Sequence, residues 1–120
     1  MKKIICTSIS ILLAVALASC QKQPEAANTT ETKQVQSALI KQFEESDIKI
    51  GKFLDQLDSP NTPLKVKKQI LCIDYPNVYI KEYSPAFLNL SANDYSKELL
   101  DRDLEIALDY YKDKFDISCS

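Results

Sequence analysis

The sequence predicts an all-α fold, a small antiparallel helical bundle of three to four helices spanning residues 34–120. Two stretches with a helical apolar period predict it, together with a middle segment that has no second strand to pair with. In the first stretch, Gln34 to Asp58, the residues Val35, Leu39, Phe43, Ile50, Phe53, Leu54 and Leu57 fall within an arc of about 100°. Lys41, Glu45, Lys49 and Lys52 take the opposite side. Ser46 is the polar position on the apolar face, Gly51 lies off it, and the helix would loosen between them. It stops before Ser59-Pro60, because the residue preceding a proline is steered away from helical backbone.

The next elements follow from turn and capping chemistry. Ser59-Pro60-Asn61-Thr62-Pro63 is a turn, with Thr62 placed as N-cap and Pro63 as first helical residue. Leu64 to Ile73 fits a short helix, although its β-branched residues leave a strand open. From Asp74 to Tyr83, periods of two and of four both align Tyr75, Tyr79 and Tyr83. Helix is favoured there, since a lone strand is not stable. In the last element Ser91 is a candidate N-cap, Asp94 lies in the first turn, and Leu90 and Tyr95 make a hydrophobic staple. Helix then runs to about Phe115. Leu99, Leu100, Leu104, Ile106, Ala107, Leu108, Tyr110, Tyr111 and Phe115 cover an arc of about 200°, which suits a central helix.

Composition narrows function mainly by what is missing. The 120 residues contain no histidine and a single glycine, Gly51. Without histidine there is no Ser-His-Asp or Cys-His machinery and no usual neutral-pH base. Without a glycine-rich loop there is no phosphate cradle. The reading is therefore non-enzymatic, with no catalytic residues, no metal and no cofactor expected. The net charge of −2 argues against nucleic acid as a partner, because that binding requires a basic surface.

Residues 1–19 have the grammar of a signal peptide. Lys2 and Lys3 precede an apolar run, Ile4 to Ala16, that is too short to span a bilayer and is followed by polar sequence. The closing Leu17-Ala18-Ser19-Cys20 resembles the lipobox of bacterial lipoproteins at every position. The resemblance covers residues 1–20 and implies lipid on the Cys20 thiol, cleavage just before it, and acylation of the new amino group. It implies a membrane partner through that lipid, in the cell envelope. Gln21, in place of the aspartate that retains lipoproteins in the inner membrane, implies the outer membrane facing the periplasm if the source is Gram-negative. Residues 21–32 (QKQPEAANTTET) hold no large apolar residue, so 20–33 reads as lipidated cysteine plus flexible tether.

That reading disposes of two of the four cysteines. Cys6 leaves with the signal peptide and Cys20 takes lipid, so Cys72 and Cys119 remain for one disulfide in an oxidising compartment. A redox pair would be closer in sequence, and a metal site would have only two thiolates.

Four features are candidates for recognition. Tyr75, Tyr79 and Tyr83 form either a partner-binding stripe or a wrap around the core with hydroxyls at its edge. Asp101, Glu105, Asp109 and Asp113 form a carboxylate ladder that is either a solvated face or a contact for a basic partner. Asp103 falls inside the apolar arc of the last helix and, if buried, needs a partner. The basic cluster Lys65, Lys67 and Lys68 opposes the acidic helix in sign. Together these point to a membrane-anchored protein-binding or structural module with an envelope protein as partner. The alternatives are a periplasmic inhibitor or immunity protein against an envelope-targeting toxin, and a small-ligand carrier or enzyme using the tyrosines and carboxylates.

Overall fold

The computed structural model describes the backbone of residues 23–120 and the side chains of residues 30–120. It is all-α, with three antiparallel helices and no strand among the described residues. Helix α1 spans Gln23–Asp58, α2 spans residues 64–90, and α3 spans Lys97–Phe115.

Helix α1 starts eleven residues upstream of Gln34, within the stretch read as a flexible tether. Its first turn accommodates Pro24, where a missing N–H costs nothing. Helix propagates cheaply from a packed nucleus through Ala, Glu, Gln and Lys, so it extends although residues 30–38 are all exposed. Val35, on the apolar face, is 61% exposed because α2 ends short of it. There is no break between Ser46 and Gly51. Ser46 is fully buried and donates its hydroxyl to the Phe43 carbonyl at 2.9 Å, so it stays inside the apolar face without an unpaired group.

The turn at 59–63 is closed by Ser59 N–H on the Asp55 carbonyl at 3.0 Å. Pro63, with ψ 147°, takes the N-cap place expected for Thr62, and its carbonyl accepts from Val66 and Lys67. The 74–83 stretch is helical, and the helix continues unbroken to Leu90. It contains two widened turns, Ile70–Asp74 and Tyr79–Tyr83, in which Tyr75 N–H reaches the Ile70 carbonyl and Ser84 N–H that of Tyr79. Pro76 and Pro85 each lie two residues past the end of one of these turns. A helical proline lacks its N–H and its ring strikes the carbonyl four residues back; a π turn just before it relieves both problems.

The widened turns also explain the four-residue period. Lys67, Leu71, Tyr75, Tyr79, Tyr83 and Phe87 are spaced strictly by four, and all are buried or half-buried. On a regular helix that spacing would drift by about 40° per step and rotate the row off its face. Two turns with more residues per revolution cancel much of the drift. This makes α2 the central element, packed on α1 mainly through residues 75–90 and on α3 on another side.

The expected cap of α3 is corrected. Ser91 to Asp94 forms a turn, closed by Asp94 N–H on the Ser91 carbonyl at 3.1 Å. Ser96 is the N-cap and accepts from Leu99 N–H at 3.2 Å, with Glu98 in the first turn. Tyr95 packs edge-on against Phe87, with centroids 4.8 Å apart. The broad apolar arc is also corrected: Leu100, Leu104, Leu108 and Tyr111 are buried, but Ile106 and Tyr110 are 62% and 59% exposed. One side of α3 is therefore covered rather than two.

The end of α3 turns the chain back to the core. Asp116 is left-handed at φ 52°, Asp116 N–H reaches Asp113 O, and Ile117 N–H reaches Lys112 O at 2.9 Å. This is a Schellman ending with aspartate where glycine is usual. It buries Ile117 and delivers Cys119 to Cys72, forming the expected disulfide with Cα atoms 5.4 Å apart.

Lys67, expected in a basic cluster with Lys65 and Lys68, is only 6% exposed. Its Nζ donates to the Leu57 carbonyl at 2.9 Å and sits 3.9 Å from the centre of the Phe115 ring. It thus closes the C-terminal end of α1, where free carbonyls and the helix dipole favour a cation. Lys65 and Lys68 remain exposed.

Candidate functional site

The aromatic row of α2 forms one continuous ladder. Tyr75, Tyr79, Tyr83 and Phe87 contact each other in sequence, and Phe53 and Phe43 of α1 join at Tyr75 and Tyr83. Tyr75 and Tyr79 are 5% and 8% exposed and Tyr83 is half-buried. Their rings therefore belong to the core and do not stand out as a stripe. What remains outward is the polar end of each side chain. No tyrosine hydroxyl of this row makes a hydrogen bond, and no side-chain polar atom among the described residues is both buried and unpaired. The hydroxyl oxygens therefore reach solvent along the edge of the core.

Three carboxylates bear electrostatically on these tyrosines. Asp103 is exposed, contrary to its place in the apolar arc, so it is no buried charge in need of a partner. It acts on Tyr79, as does half-buried Asp101, while Asp47 of α1 acts on Tyr83. Burial, then the neighbouring tyrosine and these carboxylates, push the Tyr79 hydroxyl up to about 12. Burial also raises Tyr75 and Tyr83. At the other end of the core, Tyr111 is pushed up to about 12, first by burial and then by its hydrogen bond to the Asp58 carboxylate at 3.0 Å.

These shifts carry a sign. A tyrosine whose folded pKa exceeds the ordinary 10 holds its proton more tightly when folded. Its contribution to stability is complete below about pH 10 and is lost as pH rises towards about 12. We expect tyrosinate absorbance to develop last for Tyr79 and Tyr111, with helical circular dichroism falling over the same interval. Six tyrosines titrating together near pH 10 with helix intact would contradict the assignment.

The acidic ladder of α3 is mostly a solvated face. Asp101 pairs with Lys97, and Asp109 lies 3.8 Å from Lys112, while Glu105 and Asp113 are exposed. Among the described residues no group of three His, Cys, Asp or Glu side chains is placed to hold a metal ion. A concavity of about 480 Å³ opens where α1 overruns α2, lined by Val35, Leu39 and Leu90 with Glu31, Thr32, Gln36 and Asn89. Cys20 and the lipobox lie outside the described residues.

The influence of these carboxylates was only partly legible in sequence. The spacing of Asp101 and Asp103 carries no sign of their effect on the tyrosines of α2. Asp47, one aspartate on a solvated helix face, carries no local signal.

The architecture and its bond define a small all-α bundle closed by one Cys72–Cys119 disulfide. No family model, no curated protein and no solved structure matches this chain. Among the described residues no helix is long and apolar enough to cross a membrane.

Proposed function

We propose that this protein is an envelope lipoprotein, exported, cut before Cys20 and held to a membrane by lipid on that cysteine. Its helical domain acts as a protein-binding or structural module and not as an enzyme. The observation that carries the reading is the uninterrupted signal-peptide pattern of residues 1–19 ending in Leu-Ala-Ser-Cys. A disulfide between Cys72 and Cys119 supports it, since such bonds persist in oxidising compartments, and it leaves Cys20 for lipid. Several acyl chains on one residue give firm retention where a single chain binds marginally. A missing histidine and a lone glycine support the non-enzymatic half of the reading.

Substituting Cys20→Ala is expected to move the protein from the membrane fraction to the soluble fraction of fractionated cells. The N-terminal peptide of the wild-type chain should carry the added mass of acyl groups. Unchanged detergent partitioning of the variant would overturn the proposal.

A further inference from the structure

Helix α1 outruns the bundle at its N-terminal end. It is continuous from Gln23 to Asp58, yet the side chains of residues 30–38 are all exposed and Leu39 is the first to be half-buried. α2 ends at Leu90, beside Val35 and Leu39. The stretch from Gln23 to Ala38 is thus a helical arm about 24 Å long.

The arm is helical by continuation. Asn28, Thr29, Thr30 and Thr32 are poor helix formers, and a free peptide of this composition would not pass the nucleation barrier in water. Joined to a packed helix, it needs no nucleus of its own, and Ala26, Ala27, Glu31, Lys33 and Gln34 favour propagation. Glu25 falls in the first turn, where the helix dipole favours an anion.

The place of the arm in the chain gives it a use. Three peptide links join Cys20 to Gln23, so the Cys20 Cα lies within about 11 Å of the start of the helix whatever path the chain takes. From Gln21 to Gln34 the sequence has no large apolar side chain. A helix lies in a bilayer interface through a face of such side chains, and this arm lacks one. Lipid on Cys20 therefore fixes one end of the arm at the membrane while its length stays in water.

We propose that the N-terminal arm of α1 is a rigid spacer that holds the bundle at a fixed distance, about 24 Å of helix, from its lipid anchor. This deepens the lipoprotein reading above and rests on it. A coil of the same residues would let the bundle wander between the headgroups and the full reach of the chain. A helix sets how far from the anchor the bundle meets a partner.

The test is a spin-label distance measured across the arm in the full-length chain, purified from membranes and placed in lipid nanodiscs. Labels on unnatural side chains in place of Gln23 and Lys52 leave Cys20, Cys72 and Cys119 untouched. The continuous helix is expected to give one narrow distance near ~44 Å. A coil over residues 23–38 would give a broad distribution centred near ~30 Å. Deleting residues 24–30, about two turns, should shorten the distance by ~10 Å and keep it narrow. A broad distribution in the intact chain, or a deletion that leaves the distance unchanged, would overturn the proposal. Mass spectrometry of the same sample separates the two levels. An acylated Cys20 with a broad distribution removes the spacer and leaves the lipoprotein reading standing, whereas a Cys20 without acyl groups removes both.

Discussion

Replacing Cys72 and Cys119 together by alanine is expected to lower the unfolding free energy by about 4 kcal/mol. The bond joins residues 47 positions apart, and the entropy removed from the unfolded chain by closing a loop of that length gives this figure. For a domain of this size it is a large fraction of total stability, which typically amounts to roughly 5–15 kcal/mol. The loss begins at the C-terminus. Ile117 is buried only because the Schellman turn and the disulfide hold the last residues against α2. Urea unfolding monitored by circular dichroism, with and without reductant, is the measurement. A double variant with an unchanged midpoint would show that the bond adds nothing beyond what packing supplies.

The second large effect is expected at Leu57. This side chain is fully buried where the end of α1 meets α2 and α3. Leu57→Ala is expected to cost about 3–4 kcal/mol, the sum of lost transfer energy and the cavity left behind. The cavity will not close easily, because the Leu57 carbonyl is held by Lys67 and the next residue, Asp58, by Tyr111 and Lys114. Lys114→Ala, which removes one half-exposed ion pair 3.7 Å from Asp58, should shift the midpoint little by comparison. Comparable losses in the two variants would mean that the polar contacts, and not the apolar core, hold this end together.

Where the pattern was local, it was legible from residues alone. The apolar period of 34–58, the proline after Ser59 and the apolar run to Phe115 located the interiors of α1 and α3 and the turn between α1 and α2. They did not locate the boundaries. Ser91 has the chemistry of a cap, yet the cap is Ser96, and the intervening Tyr95 packs on Phe87. The start of α1 is not legible in its polar residues, because that stretch continues a helix nucleated by packing further along.

The candidate site was less legible for the same reason. The three tyrosines were found by spacing, but whether they faced inward depended on where α1 and α3 lie. Asp103 was placed inward from its angle within a wide apolar arc, and the structure covers only one side of that arc. Lys67 was grouped with its neighbours by charge, although its place in the four-residue row with Leu71 and Tyr75 was a signal that it turns inward.

By itself, then, the sequence determined the helical class, the turn at Ser59-Pro60 and the Cys72–Cys119 bond. These depend on backbone preferences, on apolar periodicity and on there being only two thiols, Cys72 and Cys119, among the described residues. Only the tertiary structure decided that 64–90 is one helix with two widened turns, that its tyrosine rings are core and their hydroxyls edge, and that Lys67 closes the end of α1. Each of those depends on what a neighbouring helix covers, and a side chain's own position in the chain does not contain that information.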